Sequence, residues 1–204
     1  MARSYVERHL ANPSNSTQSR HAPNAPWRVP TIMAYKDQKQ YRLPTHNYGR
    51  SGVYFITICV QNRIPAFGSI ENGRLTLSPI GEAVSRSWQE IPKHYPVARL
   101  DQWVIMPDHF HGLLILKPNK NDALDKQEDA TPAGRRPLRP ASVPAIINQF
   151  KGSVKRWCNQ HGYEDFSWQP RYHDHIVRNA NALGNIRQYI IRNPEEWDPT
   201  KTDW

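Results

Sequence analysis

Two cysteines, Cys59 and Cys158, are the only thiols in 204 residues. That excludes a disulfide framework and a four-thiolate zinc centre. Each stands among apolar neighbours, Ile58-Cys59-Val60 and Trp157-Cys158, the setting of a small buried hydrophobe, and a reducing compartment is expected. No apolar run is long enough to span a bilayer and no secretory apolar core is present, so no membrane partner is expected and the expected location is the cytoplasm. No Gly-x-x-x-x-Gly-Lys loop occurs, so the phosphate cradle of nucleotide-driven enzymes is missing. Internal repeats are absent. Apolar residues are sparse: a hydrophobic content of 38% and a mean hydropathy of −0.78 imply that part of the chain lies outside any packed core.

What is abundant is positive charge, but it is unevenly spread. Of the net +9, residues 1–50 hold eight Lys/Arg against two Asp/Glu. An isoelectric point near 9.7 fits a nucleic-acid partner, yet most of the excess sits in this front segment, so charge alone is a weak argument. Residues 1–40, with Asn-Pro-Ser-Asn-Ser-Thr and Ala-Pro-Asn-Ala-Pro, show no helical or strand period and are expected to form a disordered basic tail. Residues 41–197 are read as one domain, with a mobile polar insertion over 118–141 and a short C-terminal tail over 198–204.

Within the domain the patterns are sharper. Val53–Val60 is rich in β-branched and aromatic residues and predicts a buried strand; Arg74–Leu77 predicts a short one. Ser78-Pro79 is a helix start, followed by Ile80, Val84, Trp88 and Ile91 on one face up to Pro92. Leu100–Met106 and His109–Leu116 predict a hairpin turning at Pro107-Asp108. A helix from Ser142 carries the stripe Ile146, Ile147, Phe150, Val154, Trp157 and Cys158. Trp168–Val177 reads as extended, and a last helix runs from about Asn181 to Asn193 before Pro194. The order β-β-α-β-β-α-β-α predicts an α+β sandwich, an antiparallel sheet with helices packed on one face.

The most informative residues are His109-Phe110-His111. Side chains alternate along a strand, so the two imidazoles share a face while Phe110 points into the layer behind. Two neutral imidazoles side by side make half of a divalent-metal site. On the last helix, Tyr189 and Asn193 stand four apart, on one face with Ile186 and Ile190. A phenol and a carboxamide on an apolar stripe need partners, and the histidine face can supply them through a metal ion.

Here the chain resembles a known family. Tyr54-Phe-Ile-Thr-Ile-Cys-Val-Gln-Asn62, Val104-Ile-Met-Pro-Asp-His-Phe-His-Gly112, Trp168-Gln-Pro-Arg-Tyr-His-Asp-His175 and Tyr189-Ile-Ile-Arg-Asn-Pro194 resemble, in order, blocks of the HUH single-tyrosine (IS200-like) transposases, above all their REP-associated branch. The resemblance spans about residues 41–197. It implies a ferredoxin-like sheet and cleavage and rejoining of single-stranded DNA beside a REP-like hairpin through a 5′-phosphotyrosine. Tyr189 would be the nucleophile, and His109 and His111 metal ligands. Asn193 would be a third ligand or would polarise the bound phosphate. Mg²⁺ or Mn²⁺ is the expected cofactor, and a monomer or a homodimer the expected form.

Unpaired bases need stacking surfaces and a basic lining. Trp103, Trp168 and Tyr172, with Lys151, Lys155, Arg156 and Arg171, are the candidates, and His173 and His175 are read as structural or DNA-contacting. Tyr172 is the rival nucleophile, ranked second because it lies in an extended segment. Taken singly, each motif has a plainer reading: a lone His-x-His is usually a surface or core pair, and a tyrosine in an amphipathic stripe usually packs. Two other functional classes stay open, a non-catalytic hairpin-binding protein and a metal-dependent nuclease that uses water.

Overall fold

The structure, a computed structural model, describes residues 48–118 and 140–198. The basic tail predicted over 1–40, nearly all of the insertion over 118–141 and all of the C-terminal tail but its first residue lie outside the described residues. In chain order the elements are β1 (Gly52–Cys59), β2 (Gly68–Glu71), β3 (Arg74–Leu77), α1 (Pro79–Gln89), α2 (Ile91–His94), β4 (Ala98–Ile105), β5 (His109–Leu116), α3 (Val143–Gln160), β6 (His173–Val177) and α4 (Ala180–Arg192). Four strands form one antiparallel sheet in the order β4-β5-β1-β6, while β2 and β3 make a separate hairpin. Apart from that hairpin the path is βαββαβ, the ferredoxin-like arrangement.

Strand alternation sorts the side chains into two layers. Tyr54, Ile56 and Ile58 of β1 and Phe110 and Leu114 of β5 are fully buried on one face. Against them pack Ile80, Val84 and Trp88 of α1 and Ile146, Ile147, Phe150 and Val154 of α3. Both helices start where the sequence says: Ser78 Oγ accepts from Gly81 N at 3.1 Å and Ser142 Oγ from Ala145 N at 3.4 Å, each with proline in the first turn. On the other face Val104, Met106, Leu113 and Ile190 form a smaller buried cluster, joined by Val53, Phe55, Ile186 and Tyr189. Helix α4 lies there against β4. Helices α1 and α3 therefore cover one face, and α4 meets the face that carries the histidines.

Three expectations about the elements need correction. Pro92 does not stop α1. That helix ends at Gln89, and Pro92 occupies the first turn of α2, a position where its missing N–H is harmless. The strand before Arg74–Leu77 was not anticipated. β2 pairs with β3 across Asn72-Gly73, whose φ values of 52° and 71° are those of the two-residue hairpin turn that this dipeptide favours. Trp168–Val177 is not one extended run. Trp168 makes an isolated bridge to Val60, Arg171 has φ of 67°, and only His173–Val177 pairs with β1.

Gly112 shows why the residue after the histidines has no side chain. It pairs with Ile56 and Trp103, and an added Cβ would lie 2.7 Å from Trp88 Cζ2 and 2.8 Å from the Phe110 ring. Those rings are themselves packed against each other, tilted at 56° with 4.6 Å between centroids, and cannot retreat together. Gly112→Ala is therefore expected to cost about 1–3 kcal/mol of stability by overpacking, read as a lower midpoint in urea denaturation.

Candidate active site

His109 and His111 are 0% and 1% exposed, and their Nε2 atoms face one another at 3.1 Å. Their other ring nitrogens are held. His109 Nδ1 lies 2.6 Å from Asp108 Oδ1, and His111 Nδ1 lies 2.8 Å from Thr57 Oγ1 on the neighbouring strand. A carboxylate only accepts, so Asp108 fixes the Nδ1–H tautomer of His109 and leaves a lone pair on its Nε2. Asp108 is held in turn by Arg63, whose Nε is 2.9 Å from Oδ2. Arg63 and Asn62 both adopt left-handed φ, 56° and 55°, at a backbone cost that aims the guanidinium at this carboxylate. Burial pushes the His109 pKa below its ordinary value, against the opposing pull of Asp108. Burial pushes that of His111 well below it, helped by the positive character of His109 and Arg63. Both rings are neutral at pH 7.

Tyr189 projects from α4 onto this pair, its hydroxyl 3.2 Å from His111 Nε2. Phe55 of β1 holds both rings, stacked on His111 at 5.3 Å between centroids and edge-on to Tyr189 at 6.1 Å. When the phenol donates to His111 Nε2, His111 carries its proton on Nδ1 and donates it to Thr57. With the phenol proton turned aside or lost, both Nε2 lone pairs converge on the same small volume. Burial raises the Tyr189 pKa, so the phenol is protonated at neutral pH, while a hydrogen bond from the Asn193 side chain acts in the opposite direction and favours the phenolate. Asn193, 6% exposed, caps α4 one turn beyond Tyr189.

Two converging nitrogen lone pairs 3.1 Å apart repel unless a cation or proton lies between them. An octahedral ion with bonds of about 2.1 Å separates adjacent ligands by ~3.0 Å, so the pair suits a divalent ion. Among the described residues no group of three or more His, Cys, Asp or Glu gathers here. A third protein ligand would have to be a neutral oxygen, and the Asn193 amide is the group at hand.

The buried neutral imidazoles have a consequence for acid stability. Below about pH 6.5 the unfolded chain protonates these histidines while the folded protein resists, so falling pH favours unfolding. In metal-free protein the loss is expected to reach at most about 1.4 kcal/mol per pH unit for each ring and to vanish above about pH 7. Urea denaturation at a series of pH values below about 6.5 is expected to show a shallower fall of stability with pH for His111→Gln than for the parent. An identical slope contradicts the burial argument.

The candidate DNA contacts separate into groups. Trp103 is 3% exposed and belongs to the core. Trp168 packs among Phe67, Phe150 and Phe166, and its indole N–H donates to Lys151 O at 3.1 Å. Lys151 Nζ donates to Gln169 O and Arg171 O, and Lys155 Nζ to Glu164 O and Phe166 O, all within 2.8 Å. These two ammonium groups staple the connection ahead of β6 to α3. Tyr172 packs toward the α1/α3 core, on the opposite face from the imidazoles. Arg156, Arg171, His173 and His175 are exposed. The register places His173 beside Thr57, itself beside His111, so His173 and His175 share the face of the metal-type pair. Asp108, Thr57, Arg63 and Phe55 had not been singled out from the sequence. The one available signal was a carboxylate immediately before the first histidine.

No protein-family model matches the chain. An uncharacterized protein of Haemophilus influenzae is 34% identical over 163 residues, covering 79% of this chain and 90% of its own length. A second Haemophilus influenzae protein, named a candidate REP-associated tyrosine transposase, is 23% identical over 154 residues, 72% of this chain and 73% of that one. A solved REP-associated tyrosine transposase bound to a REP hairpin shares the fold with a TM-score of 0.53 at 19% identity, covering 78% of this chain and 74% of that one. At this identity the solved structure shows a common ferredoxin-like fold. The chain is thus similar in sequence to a protein named a REP-associated tyrosine transposase and shares its fold with a solved one. No helix among the described residues is long and apolar enough to cross a membrane.

Proposed function

We propose that the protein is a metal-dependent single-stranded DNA transposase that cuts and rejoins DNA beside short hairpins through a 5′-phosphotyrosine on Tyr189. The observation that carries this reading is the convergence of the Tyr189 hydroxyl and the two Nε2 atoms, 3.2 Å and 3.1 Å apart in sequence around His111. That the solved relative was captured on a REP hairpin supports a hairpin as the partner here.

His109, His111 and the Asn193 amide would hold Mg²⁺ or Mn²⁺, with Asp108 and Thr57 fixing the two imidazoles. When bound, such an ion acts as a Lewis acid on a non-bridging phosphate oxygen and lowers the barrier to displacement. The chain's own work is to present the nucleophile. Tyr189 gives up its proton, the Asn193 amide stabilises the phenolate, and Phe55 keeps the ring aligned. The phenolate oxygen attacks phosphorus as the P–O3′ bond breaks, and the departing 3′ oxygen takes up a proton. The products are a free 3′-hydroxyl and a 5′-phosphate on Tyr189. In the reverse sense a 3′-hydroxyl attacks the phosphotyrosine, so rejoining needs no nucleotide. The exposed residues Arg171, His173 and His175 supply a route for the single strand along β6 to the histidines, with Arg156 as a more distant phosphate contact.

The test is to incubate the protein with labelled single-stranded hairpin oligonucleotides and Mn²⁺ and resolve the products on a denaturing gel. A labelled band at the mass of protein plus DNA is expected. Cut DNA with no such band would favour hydrolysis by water, and binding without cutting would favour a hairpin-binding protein.

A further inference from the structure

Strand β4 contains a bulge between Leu100 and Trp103, where Asp101 and Gln102 together stand opposite one residue of β5. The extra residue leaves Asp101 on the α4 side of the sheet, buried to 7% exposure. Its carboxylate receives a forked guanidinium from Arg187 of α4: Arg187 Nη2 lies 2.5 Å from Oδ2, and Nε lies 3.2 Å from both oxygens. The backbone N–H of Gln102 donates to Oδ1 at 2.8 Å, holding the carboxylate on the bulge. A planar fork on a fixed carboxylate constrains direction as well as distance.

The position of Arg187 on its helix gives this pair a role beyond attachment. At about 100° per residue, Ile186, Ile190 and Asn193 form the stripe that faces the sheet. Arg187 stands about 100° to one side of Ile186, and Tyr189 about 60° to the other. The apolar stripe acts as a pivot, with the ion pair on one flank and the phenol on the opposite one. Any roll of α4 that opens the fork moves the Tyr189 hydroxyl relative to the imidazoles. Apolar contacts such as Ile190 on Leu113 and Val104 resist separation of the helix but resist rolling poorly, being non-directional.

We infer that Asp101 and Arg187 are positioning residues that set the roll of α4 and thereby hold the Tyr189 hydroxyl at the imidazole pair. Their importance for strand transfer rests on the reading of Tyr189 as the nucleophile; their effect on the helix does not. Two readouts on the full chain keep these separate. Amide hydrogen exchange is compared among the parent, Asp101→Asn, Arg187→Gln and Arg187→Lys, and single-turnover adduct formation is measured over a range of oligonucleotide concentrations.

In Asp101→Asn and Arg187→Gln, amides of α4 are expected to exchange about 10-fold faster, with β1 and β5 unchanged. The limiting adduct rate is expected to fall on the order of 10- to 100-fold, as misplacement of a reacting group does, while half-saturation moves less than about 2-fold. Arg187→Lys, which keeps the charge and loses the fork, is expected to fall between. Exchange that is unchanged in α4, or that rises throughout the sheet, overturns the inference, as does a rate equal to the parent's or a change in half-saturation alone. If even the parent forms no adduct, the reading of Tyr189 fails, and faster exchange confined to α4 still establishes the device.

Discussion

Tyr189→Phe is expected to abolish the covalent protein–DNA species entirely while the protein stays folded and still binds a hairpin oligonucleotide. The substitution removes one oxygen from a ring that stays packed edge-on against Phe55 and beside Ile186 and Ile190. The lost hydrogen bond to His111 is about 1 kcal/mol of stability at most, a small part of a domain's total. No other described tyrosine is placed to substitute. Tyr172, the nearest rival by sequence motif, packs toward the α1/α3 core on the far side of the sheet. The loss is therefore expected to be one of chemistry alone, visible on a denaturing gel and paired with unchanged hairpin binding by anisotropy. Cleavage that continues at the parental rate without an adduct would transfer the reaction to water and refute the tyrosine mechanism.

The second large effect is expected at the histidines and the groups that orient them. His109→Ala and His111→Ala each remove a nitrogen from a set that offers only two, so Mn²⁺ binding measured by calorimetry or electron paramagnetic resonance is expected to fall below detection, together with adduct formation. Asp108→Asn is subtler. An amide oxygen can still accept from His109 Nδ1, but it has lost the charge that holds that tautomer and the partner of Arg63. Metal affinity is expected to drop about 10- to 100-fold, the usual cost of losing a group behind a ligand. Excess Mn²⁺ is expected to restore much of the activity of Asp108→Asn and none of that of His109→Ala. Equal metal affinity in the parent and in His111→Ala would remove the metal site from the account.

How much of this was legible in the sequence depended on the range of the interaction. His109 and His111 could be placed on one face because alternation along a strand is local, and Tyr189 and Asn193 because helical spacing is local too. The groups that make the site specific come from elsewhere in the chain. Thr57 reaches His111 across a strand pair, Arg63 reaches Asp108 from a strained turn, and Arg187 reaches Asp101 over 86 positions. No periodicity reveals such pairings.

Trp103 illustrates how a single residue alters the reading. In an unbroken register it would pair with His111 and stand on the histidine face, but the bulge after Leu100 pairs it with Gly112 and turns it into the core. Lys151 and Lys155 misled for a different reason. A lysine on the polar side of an amphipathic helix looks free for phosphate, and here each is engaged by two carbonyl oxygens of the loop before β6. The β2–β3 hairpin, in contrast, could have been read from Asn72-Gly73.

The most direct test of the central claim is to trap the reaction on a hairpin oligonucleotide with Mn²⁺, digest with nuclease and trypsin, and locate the remaining nucleotide by mass spectrometry. The account predicts a phosphonucleotide on the peptide Gln188–Arg192, carried by Tyr189. The same mass on Tyr172, or cut DNA with no modified peptide at all, would contradict it.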